Sequence, residues 1–316
     1  MKIVMLEPLG VAEDIVMKQA QRVTSAGHEF VFCGRKLTEE EKIERAKDAD
    51  AFIITNGKLS ADVINAAEHL QMISVGFTGI DHVDLAACKA KDVRVCNCQG
   101  YATVPTGELA VGLMLACLRN IVPYDQVVRD GGTLAGYTHN TLEGKTVGIL
   151  GTGAIGLKTA ALCKAFGCDI IAYSRSEKQE ALDMGIKYVD LDTLFKEADI
   201  ISLHTPLTDE TRCIVSRERI FSMKKNAILI NCGRGGLVDS AALADALNEG
   251  AIRGAGIDVF EMEPPIPADH PLLHAKNCIL TPHVGFYSQE SLAIRVGMVM
   301  DNITAWLDGH PINVKQ

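Results

Sequence analysis

Residues 146–156 read TVGILGTGAIG, a short apolar run ending in three glycines spaced G-x-G-x-x-G, after which the chain turns alanine-rich. Gly151, Gly153 and Gly156 stand between an expected strand, Thr146–Leu150, and the start of an expected helix. That context gives the spacing its meaning. Gly151 permits a tight turn, Gly153 lets the backbone approach a pyrophosphate, and Gly156 lets the helix pack close to the strand. The phosphates of a dinucleotide would then rest on the N–H groups and positive pole of the helix.

Downstream, Asp169–Glu177 read DIIAYSRSE. Dinucleotide folds usually place a carboxylate after their second strand, where it binds the ribose hydroxyls and repels a 2′-phosphate. Ser174, 23 residues beyond Gly151, is followed by Arg175 and Ser176 in that turn. They remove the repulsion and supply a cation and two hydroxyls. Asp169 stands at the wrong end of the strand to substitute. The turn predicts NADP(H) in preference to NAD(H).

On either side of these motifs the chain alternates β-branched apolar runs with longer helical stretches, the pattern of parallel sheets with crossover helices. Expected strands before the glycines are Lys2–Leu6, His28–Phe32, Ala51–Thr55, Met72–Val75 and Arg94–Asn97. Those after them are Ile170–Tyr173, Ile200–Leu203, Ala227–Asn231, Gly254–Val259 and Cys278–Leu280. A long helix over about 106–118 separates the two series, and another over about 288–307 closes the chain. With 316 residues, two α/β domains are expected.

Composition narrows the class. A net charge of -9 without clustered Lys and Arg argues against a nucleic-acid surface. No run reaches the roughly 18 apolar residues of a membrane span, and MKIVMLEP reads as a first strand rather than a signal peptide. The ten cysteines are scattered through apolar segments, so free buried thiols in a reducing, cytoplasmic compartment are expected. Cys96 and Cys98 lack the second pair or histidines of a metal site, and no metal is expected.

Three later strands each end on ionisable groups: Arg234 in AILINCGRGGLVD, Asp258, Glu261 and Glu263 in GIDVFEMEPPIP, and His283 in CILTPHVGF. Carboxyl ends of parallel strands are where such sheets bind ligands. Hydride delivery to a carbonyl carbon leaves an oxygen that needs a proton near neutral pH, which histidine supplies. A carboxylate beside it fixes the ring, and an arginine pairs bidentately with a substrate carboxylate. His283 as acid/base, Glu263 as its partner and Arg234 as anchor fill those roles. His204, also past a strand, reads as part of a loop on the adenine side.

The segments TGIDHVDL, GKTVGILGTGAIG, LHTPLTDETRCIV, INCGRGGLVD, GAGIDVFEMEPP and LTPHVG occur in order across essentially the whole chain. In this the sequence resembles the D-isomer-specific 2-hydroxyacid dehydrogenases, which include glyoxylate/hydroxypyruvate reductases and phosphoglycerate dehydrogenases. The resemblance implies two Rossmann-like or flavodoxin-like parallel-sheet domains with an active-site cleft between them. It divides the chain into a discontinuous substrate domain, residues 1–99 plus 286–316, and a dinucleotide-binding domain, residues 100–285. It implies the triad Arg234, Glu263 and His283, with the backbone of Thr78 and Gly79 holding the substrate carboxylate. Cofactor contacts would come from Gly151, Gly153, Ala154, Ile155 and Gly156, from Ser174, Arg175 and Ser176, and from His204, Thr205, Pro206 and Thr211. Cys232, Gly233, Asp258 and Gly285 would complete them, Asp258 at the nicotinamide amide. A homodimer through the cofactor domains is also implied.

Thr106-Gly107 replaces a Val-Ala pair common in relatives, which should alter packing near the nicotinamide. The chain stops at Gln316, with no room for the C-terminal regulatory domain of many phosphoglycerate dehydrogenases, and no cationic cluster stands near Thr78. The expected activity is NAD(P)H-dependent reduction of a small 2-oxo acid, of hydroxypyruvate or glyoxylate type, to the D-2-hydroxy acid. Alternatives are a phosphoglycerate dehydrogenase without the regulatory domain, a formate- or phosphite-type enzyme, and a dinucleotide-sensing corepressor on the same fold.

Overall fold

The computed structural model describes every residue except Ala135 and Glu263. The chain divides into two compact units, Met1–Ala102 with Tyr287–Gln316, and Thr103–Phe286.

The first unit is built on β1 (Lys2–Met5), β2 (Glu29–Val31), β3 (Ala51–Ile54), β4 (Met72–Val75) and β5 (Arg94–Asn97). All pair in parallel, in the order β2-β1-β3-β4-β5. The central strands β3 and β4 are buried along their whole length, as expected when helices cover both faces. The closing helix, Gln289–Leu307, belongs to this unit and packs against the helix Glu13–Thr24 and against β4. Ser288 and Ser291 exchange side chain-to-backbone hydrogen bonds at its start, which satisfies two otherwise orphaned donors.

The second unit contains β6 (Thr146–Leu150), β7 (Asp169–Tyr173), β8 (Lys187–Tyr188), β9 (Ile200–Leu203), β10 (Ile228–Asn231), β11 (Gly254–Ile257) and β12 (Cys278–Leu280). Their order is β12-β11-β10-β9-β6-β7-β8, again parallel throughout. Sequential strands run outward from β6 in one direction and resume from β9 in the other. The topological switch point, where open α/β sheets bind ligands, therefore lies between β6 and β9. Two cores flank the sheet, one around Leu194, Phe195 and Leu243, the other where the helix Thr103–Arg119 packs on Ala154–Ala165.

The expectation of two parallel-sheet α/β domains holds. Three local readings change. The two-residue strand β8 was too short to give a periodic signal, and the helix Ile121–Arg129, which buries none of its apolar side chains within this chain, is a separate element after the long helix. The long helix starts at Thr103, earlier than expected, with Pro105 inside its first turn. The missing proline N–H has no intrahelical partner there in any case.

All ten cysteines are free. Burial pushes the thiols of Cys98, Cys117, Cys163 and Cys278 up to about 12, so they stay protonated and inert. Cys213 is exposed, against the reading of every thiol as buried. Among the described residues no helix is long and apolar enough to cross a membrane. No cluster of three or more His, Cys, Asp or Glu among them could hold a metal ion.

Candidate active site

The glycine turn sits at the switch point of the second sheet. Gly151 has φ +99°, and a Cβ there would lie 2.8 Å from the backbone of His204 and Thr205 after β9. A Cβ on Gly156 would lie 2.0 Å from the carbonyl oxygen of Gly151, so the helix can approach the turn only without a side chain. Gly153, by contrast, has nothing within 4 Å of that position and serves as N-cap of the helix Ala154–Ala165. The turn thus leaves open space at a helix N-terminus where Ala154 and Ile155 begin the first turn, the arrangement that receives a pyrophosphate.

Because the strands are parallel, the remaining candidates follow the same sheet edge. Ser174 is half-buried after β7, while Arg175 and Ser176 are exposed. An Arg175 Nη1 lies 4.0 Å from Glu210 Oε2, across from the loop after β9. In that loop Thr211 donates to the carbonyl of Pro206 at 2.7 Å and accepts from the Thr208 N–H at 2.7 Å, which closes the turn. His204 Nε2 lies 2.8 Å from Ser202 Oγ. Its Nδ1 is buried with no hydrogen-bond partner among the described residues, and burial pushes its pKa down to about 4. That unsatisfied nitrogen belongs to the residue whose backbone abuts Gly151, and a buried polar atom without a partner calls for an explanation such as a bound ligand or water.

After β10 the chain turns through Cys232, Gly233 and Arg234. Asn231 fixes that turn: its Oδ1 accepts from the Gly233 N–H at 3.0 Å and its Nδ2 donates to the Arg234 carbonyl at 2.9 Å. The half-buried Arg234 donates from Nη1 to the Gly233 carbonyl at 3.0 Å. After β11, the Asp258 carboxylate is buried and collects Thr281 Oγ1 at 2.6 Å and the N–H groups of Val284 at 2.9 Å and Gly285 at 2.8 Å. Burial raises its pKa, against the pull of those donors. The Asp258 carbonyl accepts from the His283 N–H at 2.7 Å. Asp258 thereby shapes the whole 281–285 turn, in which His283 adopts φ +58°, a left-handed conformation uncommon for a residue with a side chain.

Thr106, the departure noted in the sequence, donates to the Gly285 carbonyl at 3.1 Å, so its hydroxyl braces the same turn. Glu261 is held by Ser240 Oγ at 2.6 Å and faces His270 Nε2 at 3.1 Å. These contacts anchor the segment after β11. Thr78 and Gly79 follow β4 in the first unit, where Asn97 Nδ2 donates to the Thr78 carbonyl at 2.6 Å. Glu263, expected to partner His283, lies outside the described residues.

One edge of the second sheet thus brings together the glycine turn, Arg175, His204, Arg234, Asp258 and His283. Sequence reasoning missed Asn231 and Thr281, the side chains that fix the turns carrying Arg234 and His283. The signal was there, because each is a polar residue at or just past the end of an apolar strand.

A parallel sheet with this switch point, a glycine turn and ionisable groups on the carboxyl ends of its strands defines a dinucleotide-binding domain of the Rossmann class. Residues 111–285 match the family model "D-isomer specific 2-hydroxyacid dehydrogenase, NAD binding domain". The chain is 43% identical over 277 residues to a D-3-phosphoglycerate dehydrogenase of Methanocaldococcus jannaschii, covering 86% of this chain but 52% of that protein. It is 38% identical over 291 residues to a hydroxypyruvate reductase of Thermotoga maritima, covering 90% of this chain and 93% of the other. Among solved structures it resembles an acyclic imino acid reductase in complex with NADPH and D-Arg, with a TM-score of 0.89 and 29% identity over the full length of both chains. The chain belongs to the D-isomer-specific 2-hydroxyacid dehydrogenase family of oxidoreductases.

Proposed function

We propose that this enzyme reduces a small, unphosphorylated 2-oxo acid of the hydroxypyruvate or glyoxylate type to the D-2-hydroxy acid, with NADPH preferred to NADH. The observation that carries the reading is the placement of Arg234, Asp258 and His283 after the adjacent strands β10, β11 and β12, on the edge that also holds the glycine turn. The hydroxypyruvate reductase relative, matched over nearly its whole length, supports the substrate class.

A reduced nicotinamide, when bound, supplies the hydride. Gly151–Gly156 and the helix behind them would hold its phosphates, and His204, Thr205, Pro206 and Thr211 would flank the adenosine. Cys232, Gly233 and Gly285 would approach through backbone, and the Asp258 carboxylate would meet the nicotinamide amide. His283 would give its ring proton to the carbonyl oxygen, with Glu263 orienting the ring. The Arg234 guanidinium would pair with the substrate carboxylate and polarise the carbonyl. Thr78 and Gly79 are proposed as further carboxylate contacts. Exposed Ile121, Val122, Val128 and Leu134, between 54% and 78% accessible, support assembly as a homodimer through the second unit.

The test is a panel of phosphorylated and unphosphorylated 2-oxo acids assayed with NADPH and NADH. Turnover of glyoxylate or hydroxypyruvate supports the proposal. No oxidation of either dinucleotide with any acid would refute the enzymatic reading.

A further inference from the structure

We infer that Tyr188 is a positioning residue for the dinucleotide, because its phenol ties the phosphate loop to the turn that faces the adenosine ribose. The inference rests on the cofactor reading above. Tyr188 ends the edge strand β8, outside every motif that marks the site. Its hydroxyl donates to Thr152 Oγ1 at 2.9 Å and accepts from the Lys178 N–H at 3.1 Å. Thr152 lies between Gly151 and Gly153 and is 1% exposed. Lys178 closes the turn that begins at Ser174 and is the N-cap of the helix Gln179–Asp183.

The turn has little else to hold it. Its near end is fixed where the Gly151 N–H donates to the carbonyl of Tyr173 at 2.8 Å. Between those two points, residues 174–177 make no hydrogen bond among the described residues, and the Arg175–Glu210 approach at 4.0 Å is between two side chains 79% exposed. A solvated ion pair of that kind fixes geometry weakly. At the far end the Lys178 carbonyl accepts from the Ala181 and Leu182 N–H groups of its own helix at 3.1 and 3.2 Å, and the Tyr188 oxygen that takes the Lys178 N–H also grips the phosphate loop. One phenol fixes the spacing between the groups that would receive the pyrophosphate and those that would receive the ribose. Binding is sensitive to such spacing because a turn that must be ordered by the ligand gives up part of its affinity.

Tyr188→Phe retains the ring and removes both hydrogen bonds. Direct titration of the purified enzyme with NADPH and with NADH, followed by nicotinamide fluorescence, should show NADPH binding weakened about 3- to 10-fold. NADH, which lacks the 2′-phosphate, should lose less, so the ratio of the two dissociation constants narrows. The turnover number at saturating cofactor and the KM for the 2-oxo acid should stay within about twofold. Thr152→Val breaks one arm of the bridge and should weaken binding in the wild-type background but add little to Tyr188→Phe. A lower thermal midpoint with both dissociation constants unchanged would overturn the inference, as would full additivity of the two substitutions. If the unaltered enzyme favours NADH, the proposed cofactor preference falls instead. The inference on Tyr188 is then decided by the NADH constant alone, weakening supporting it and no change refuting it.

Discussion

Glu7, just past β1, receives the ammonium of Lys42 on Oε1 at 2.8 Å, and the two side chains are 7% and 8% exposed. The other carboxylate oxygen accepts from the N–H and hydroxyl of Thr55 at 2.8 and 2.9 Å and from the Gly57 N–H at 3.1 Å, all just past β3. In a sheet of order β2-β1-β3-β4-β5 the switch point lies between β1 and β3, which is where such a sheet would bind a ligand. Here a protein carboxylate fills that crevice, and a Cβ on Gly57 would lie 2.1 Å from Glu7 Oε1. The corresponding crevice of the second sheet is lined by glycines with open space at Gly153. The difference assigns nucleotide binding to the second unit.

Removing one member of this pair strands a buried charge. Lys42→Met is expected to cost about 3–5 kcal/mol of unfolding free energy in urea titration, and Lys42→Met with Glu7→Gln distinctly less. A single variant as stable as the parent would contradict the assignment.

Stability should depend on pH through His204. Burial holds the folded ring neutral with a pKa of about 4, whereas an unfolded histidine titrates near 6.5. The unfolded chain therefore binds a proton that the folded chain refuses. The contribution is fully present above about pH 6.5 and falls away as pH drops towards 4, a loss of about 2 kcal/mol by pH 5. His204→Gln should flatten the thermal midpoint over that range, and an unchanged slope would count against it. Glu7 acts in a lower window. Lys42 and Thr55 outweigh the burial that opposes ionisation, so its pKa is lowered and its contribution disappears only in acid below about 4.5.

His283→Ala should lower the turnover number by about 100- to 10,000-fold while leaving the dissociation constant for NADPH nearly intact. Equal loss of cofactor binding would contradict an acid/base role. Arg234→Ala should damage both the rate and the KM for the 2-oxo acid, and an unchanged KM would contradict a carboxylate anchor.

Arg175→Ala should reduce the preference for NADPH over NADH about 10- to 100-fold, the range expected for losing a charge-assisted contact to the 2′-phosphate. Ratios of kcat/KM for the two cofactors measure it, and an unaltered ratio would show that the arginine is only a solvated turn residue.

If the exposed apolar side chains of the helix Ile121–Arg129 are covered by a second copy, Val128→Glu should shift the sedimentation coefficient towards that of a monomer. Val128 is 68% exposed, so its replacement should leave the fold of the single chain intact.

Much of this molecule can be read from local pattern. Buried parallel strands such as Thr146–Leu150 and Ile200–Leu203 are continuous apolar runs, and the glycines at 151 and 156 follow from a backbone with no room for a Cβ, while Gly153 keeps the space at the helix start open. Arg234, Asp258 and His283 were recognisable because each follows such a run. The strand β8 was not, since two residues carry no period and its pairing with β7 is a long-range choice.

The sequence by itself therefore determined two parallel-sheet domains, the dinucleotide turn and the chemical types available at the strand ends, because each is written in neighbouring residues. Only the tertiary structure decided that Glu7 would meet Lys42 and close one switch point, that Asp258 would organise the turn around His283, and that Tyr188 would bridge Thr152 and Lys178. Those partners are 35, 25, 36 and 10 residues apart in the chain. Strand order, with the packing of the helices that carry Lys42 and follow Lys178, brings them within hydrogen-bonding reach, and the cost of leaving buried polar groups unpaired then fixes which of them meet.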